Sequence, residues 1–209
     1  MFWRCTFSIL LIAGFASAAM ADELMASASG PPCVPPGTSS LKVTLRPQKT
    51  DMWCWAASGE MVMEYFGKLV DQCTQAYNRF GRSDCCMSPT PKECIVGGWP
   101  EFEKYGFVYK TTVNAALSWE NVEGQLAPHV ASINCGSSPF AFTWRWIGGG
   151  GHMMVATGYK IDSDGKRYVF VNNPWEPNVG NTQIMLYDVY VEQADDHTHW
   201  NDYYDVKTK

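Results

Sequence analysis

Residues 48–66 read QKTDMWCWAASGEMVMEYF, and the fold turns on the segment after Trp53. From Trp55 to Phe66 the pattern is helical. Ala, Met and Glu are good helix formers, Ala57, Met61 and Tyr65 recur at i, i+4 and i+8, and Gly67 stands where a helix commonly ends in a left-handed residue. The other faces carry Trp55, Val62, Met63 and Phe66. A helix apolar on most of its faces belongs inside its domain. Cys54 opens this helix, flanked by Trp53 and Trp55, where the dipole and the unpaired first-turn N–H groups favour a thiolate.

Upstream, Leu41–Leu45 alternates apolar and polar residues and predicts a short strand ended by Pro47. Downstream, residues 68–100 hold four cysteines among Gly, Ser, Pro and Asn, which predicts a short helix over Thr74–Phe80 and then a disulfide-pinned loop region. Strand patterns appear at Phe107–Thr112, Pro139–Ile147, Met153–Tyr159, Tyr168–Val171 and Gln183–Val191, with a helix over Trp119–Ala127. Helix and cysteine loops come first and an antiparallel sheet second, an α+β order.

The chain's ends read differently from its middle. Arg4, the apolar run FSILLIAGF at 7–15 and Ala19-Met20-Ala21 before Asp22 make residues 1–21 a secretory signal peptide, too short to anchor in a bilayer. Residues 22–40, rich in Pro, Gly and Ser, read as an extended lead-in, and 41–209 as one folded domain. With 46% hydrophobic and 18% charged residues the chain is globular rather than disordered. A net charge of −5 and no basic run exclude nucleic acid as a partner, because phosphate binding needs clustered Lys and Arg. Export and the lack of a later apolar span predict a secreted monomer, outside the cell or in the periplasm, with no stable membrane insertion.

Export also changes what the cysteines mean. Removing Cys5 with the signal leaves Cys33, Cys54, Cys73, Cys85, Cys86, Cys94 and Cys135, an odd set in which one thiol stays over after three bridges. The helix start singles out Cys54 as that thiol. The other six allow 15 pairings, from which the vicinal Cys85–Cys86 bridge drops out on strain. A zinc site on Cys85, Cys86 and Cys94 lacks C-x₂-C spacing, and Asp195, Asp196, His197 and His199 read as a polar C-terminal loop, so neither metal nor cofactor is expected.

Three further positions complete a candidate site. Gln48, six residues before Cys54, offers a side-chain amide to a developing oxyanion. His152 comes after four glycines and opens the apolar strand, unlike His129, His197 and His199. Asn173 in VNNPW offers an acceptor that holds the imidazole in one tautomer, with Trp175 as its shield and Trp53 and Trp55 as further aromatics beside the cleft.

In order, Gln48, Trp53-Cys54-Trp55, Gly150-Gly151-His152-Met153-Met154 and Asn173-Pro174-Trp175 form a pattern that resembles the papain-like cysteine proteases. Within that clan the blocks are most similar to the avirulence-effector cysteine proteases of plant-pathogenic bacteria and their secreted relatives. The resemblance implies a papain-like two-lobe α+β fold, with a helical lobe carrying the nucleophile and a sheet lobe carrying the base. It also implies hydrolysis of a polypeptide substrate by Cys54, His152 and Asn173, with Gln48 serving the oxyanion. The chain departs from the effector pattern in having Asn173 where Asp is usual, and from papain in lacking a cysteine just ahead of the nucleophile. Another acyltransferase on the same fold and an inactive disulfide-rich binding protein are the competing readings.

Overall fold

The computed structural model describes residues 32–130 and 133–209. The expected signal peptide, and the lead-in as far as residue 31, lie outside the described residues. The chain begins with a short strand β1 (Thr38–Ser40) and then a helix α1 (Cys54–Tyr65) whose residues from Trp55 to Met63 are all buried. Gly67, at φ +81°, ends this helix: its N–H bonds Glu64 O and the Lys68 N–H bonds Met63 O, the paired bonds of a Schellman close. Helix α2 (Gln72–Phe80) starts at Asp71, whose carboxylate accepts the Thr74 N–H at 2.9 Å. Strand β2 (Phe107–Thr111) and helix α3 (Trp119–Leu126) come next, the latter capped by Ser118.

The rest of the chain is sheet. After the two-residue strands β3 (His129–Val130) and β4 (Ile133–Asn134) come β5 (Phe140–Trp146), β6 (Gly151–Ile161), β7 (Arg167–Asn173) and β8 (Asn181–Leu186). A short helix α4 (Tyr187–Val191), β9 (Glu192–Gln193) and the long β10 (His197–Thr208) close the chain. The antiparallel order is β2-β10-β5-β6-β7-β8, with β1 on β6 and β9 on β10. Alternate residues of β5 and β6 feed two cores: Ala141, Met153 and Val155 join α1, while Phe140, Phe142, Met154 and Ala156 join α3. Both faces of these strands are therefore covered, which is why they read as continuous apolar runs. The fold is α+β, with a helical lobe headed by Cys54 packed against an antiparallel sheet lobe.

Three expectations are corrected. Leu41–Leu45 is not a strand: the Leu41 N–H bonds Thr157 O, but the Val43 N–H turns back onto Leu41 O and the chain leaves the sheet. The strand expected over Gln183–Val191 stops at Leu186, and residues 187–191 coil so that Tyr190 is buried and the Tyr187 hydroxyl bonds Leu117 O at 2.7 Å. The supposed polar loop containing His197 and His199 is the start of β10, with both rings buried. Most of its buried polar atoms find partners inside the protein: His197 lies between Asp196 Oδ2 and Val189 O, and the Asp202 carboxylate accepts the Tyr190 hydroxyl at 2.6 Å and the Leu117 N–H at 2.8 Å.

Candidate active site

A cavity of about 690 Å³ lies between the lobes, and Cys54, His152, Asn173 and Trp175 all line it. Cys54 reaches it because α1 begins there without a side-chain cap, so the first-turn N–H groups face the sulfur. His152 reaches it from the second residue of β6. The tight turn before it needs glycine at Gly149 and Gly150, with φ of +96° and +78°, and brings His152 into register with Trp144. Asn173 comes from the last residue of β7. Its Oδ1 accepts the His152 Nε2–H at 2.8 Å and the Trp175 backbone N–H at 3.0 Å. That bond sets the tautomer and leaves Nδ1 as the ring nitrogen free for chemistry.

Cys54 is the one free cysteine among the described residues. The others form Cys33–Cys135, Cys73–Cys86 and Cys85–Cys94. Burial pushes the Cys54 thiol above its ordinary value, against the backbone N–H groups of Met153, Trp55 and Cys54 itself, which favour the thiolate. Contact with the Met153 backbone brings the sulfur beside the residue after His152. Burial likewise holds His152 below its ordinary value, and the Asn173 bond opposes it. Both burial effects disfavour charge separation, while the backbone N–H groups at the sulfur and the Asn173 oxygen at the ring favour it.

Not every expected residue is on the wall. Trp53 and Trp55 are fully buried, their indole N–H groups donating to Cys94 O at 2.7 Å and Val96 O at 3.1 Å. They anchor the cysteine loops to α1 rather than line the cleft, because the apolar helix start points them into the core. Gln48 is also fully buried and off the wall. Its Nε2 donates to Thr50 O at 2.7 Å, while its backbone is pinned to Pro174 O and the Asn178 N–H. Sequence reasoning does not find Asp51, Met52, Arg79, Trp99, Gln183 and Trp200, which all line the cavity. Only Asp51 and Met52 carry a signal, their closeness to Cys54; the others arrive from distant elements.

The described residues hold one group of metal-ligand atoms, Asp84, Cys85 and Cys94. Both its sulfurs lie in the bridge between them, which removes the thiolates a metal needs.

A free thiol at the head of a buried helix, set into one cleft with an imidazole from an antiparallel sheet, defines the class of cysteine peptidases. Residues 40–207 match the Peptidase_C39 like family, and the chain belongs to that family. Among solved structures the chain is similar to a recombinant stem bromelain precursor, at 18% identity over 84% of this chain and 76% of that one, with a TM-score of 0.41. It is also similar to bromelain from Ananas comosus in complex with the E64 inhibitor (14% identity, 72% and 88%, TM-score 0.39). A third likeness is to the Amb a 11 cysteine protease of ragweed pollen in its proform (14%, 87% and 72%, 0.41). These likenesses are low, and the family match carries the assignment. No curated protein matches the chain.

Proposed function

We propose that the chain is a secreted, monomeric cysteine endopeptidase in which Cys54 is the nucleophile, His152 the general base and acid, and Asn173 the residue that orients it. The observation that carries this reading is the 2.8 Å bond from His152 to Asn173, on the wall of the cavity that also holds the free thiol. His152 Nδ1 takes the Cys54 proton and the thiolate adds to the peptide carbonyl carbon. The tetrahedral oxyanion is held by the backbone N–H of Cys54. Collapse expels the amine, which leaves with the proton from Nδ1. Water activated by the same nitrogen then hydrolyses the thioester and restores the thiol.

A second oxyanion donor from Gln48 requires the Nε2 proton that its bond to Thr50 leaves over. Gln48→Ala tests it, with an oxyanion role costing about 100-fold in kcat. The amide of Asn173 orients the imidazolium without adding negative charge, and the backbone N–H of Trp175 bonds the same oxygen. Three disulfides and the apolar stretch in residues 7–15 support export, with residues 1–21 as the leader and 41–209 as the peptidase domain. The blocks around Cys54, His152 and Asn173 support kinship with the secreted avirulence-effector type.

The deciding experiment is labelling with an epoxysuccinyl inhibitor of the E64 type, and then peptide mass mapping. Modification at Cys54, and complete loss of peptide hydrolysis in Cys54→Ala, are the expected outcomes. Hydrolysis that survives Cys54→Ala defeats the proposal.

A further inference from the structure

Two charged side chains line the cleft, and they are not equally available. Arg79 is occupied: its guanidinium stacks on the Trp55 ring at 4.6 Å and donates to Trp99 O at 3.3 Å. Asp51 is not. It stands in the turn three residues before Cys54, is exposed, lines the cavity, and has no hydrogen bond or ion pair with any described residue. The nearest basic residue in sequence, Lys49, makes no ion pair with it among the described residues. Beside Asp51, the Met52 side chain reaches across to Gly97, its methyl within 3.2 Å of where a Cβ there would sit. The helical-lobe wall next to the nucleophile is thus one carboxylate and one flexible apolar side chain. The facing walls add the rings of Trp99, Trp146 and Trp200. A long side chain with an apolar stem and a cationic tip fits this set: the stem lies along Met52 and the tryptophan faces, and the tip meets the carboxylate. On the peptidase reading His152 protonates the leaving amine, which assigns the His152, Asn173 and Trp175 side of the cavity to the leaving group and the Asp51 and Met52 side to the carbonyl half of the substrate.

We infer that Asp51 is a specificity residue that selects substrates with lysine or arginine on the carbonyl side of the bond cut. The inference rests on the peptidase reading above. It makes the first determinant of cleavage a charge contact on a cleft whose other walls carry several tryptophans and glycines.

The test is cleavage of a mixed peptide library by the mature full-length enzyme, and then kinetics on a matched pair of peptides with lysine or norleucine at that position. Mass spectrometry should find cuts concentrated after Lys and Arg. The ratio of kcat/KM for lysine over norleucine should fall about fivefold or more in Asp51→Asn, and mostly through KM, as expected for loss of a partly screened charge contact. The wild-type ratio should also shrink as salt is raised. Asp51 is exposed and Asn nearly isosteric, so the variant keeps its fold; a circular dichroism melt checks this. A wild-type ratio near one, or the same ratio in Asp51→Asn as in the wild type, overturns the inference while leaving the peptidase reading intact. A wild type that cuts no peptide in the library overturns both.

Discussion

His152 sits between two opposed influences, burial that favours the neutral ring and an amide oxygen that favours the charged one. On the proposed mechanism a thiolate–imidazolium pair needs the charged ring, so the alkaline limb of the kcat/KM profile should report its loss. Asn173→Ala removes the favourable bond and should move that limb to lower pH, with kcat down about 100-fold because the ring loses its orientation. Asn173→Asp places a carboxylate at the same oxygen and should move the limb to higher pH. A pH–rate series on the three proteins checks both directions. Stability depends on the same residue. Because His152 in the folded protein lies below its ordinary value of 6.5, the unfolded chain binds the proton first as pH falls. Stability should therefore decline as pH drops through 6.5 and level off below the folded value. His152→Gln should lose this slope in urea melts at stepped pH. Cys54, His152 and Asn173 are legible as residues because each stands at the end of a well-patterned element. Gln48 is legible as a type only, since what its amide bonds depends on the turn to Thr50.

Among the elements, β10 shows how far a local pattern can mislead. Its sequence HTHWNDYYDVKT carries no clean alternation, yet it pairs with both β5 and β2. The burial of Asp202 is possible because a donor comes from far along the chain, the Leu117 N–H, 85 residues away, and joins the Tyr190 hydroxyl on the carboxylate. Burial first, and then the Asp202 carboxylate, push the Tyr190 hydroxyl well above its usual value, so it remains a donor. Asp202→Ala strands these donors together and should cost about 3–5 kcal/mol, measured by urea unfolding. A variant within about 1 kcal/mol of the wild type would show that the network is not structural. By contrast α1, β5 and β6 are readable because their apolar residues report burial directly, whatever they pack against. The end of β8 is not, since YDVYV at 187–191 suits a strand as well as a coil and only the docking of Tyr187 and Tyr190 decides it.

Across the whole molecule, the Cys33–Cys135 bridge spans 102 residues and ties the segment ahead of β1 to the turn after β4, while Cys73–Cys86 and Cys85–Cys94 span 13 and 9 within the helical lobe. Closing a loop of about 100 residues removes roughly 4.7 kcal/mol of chain entropy from the unfolded state, against about 3 for a 15-residue loop. The Cys33→Ser/Cys135→Ser double variant should lose about 2–5 kcal/mol, and more than the matching Cys73/Cys86 variant, in denaturant titrations. Helix period, apolar runs and cysteine parity are local or countable properties, so the order of residues was enough for the α+β arrangement, the buried helix headed by Cys54 and the odd thiol. It took the folded molecule to choose among the 15 pairings of the six cysteines, to send Trp53 and Trp55 into the core, and to wall the cleft with Asp51 and two distant tryptophans. Those outcomes depend on which surfaces meet when two lobes close on each other, and no spacing along a chain encodes a meeting between residues a hundred positions apart.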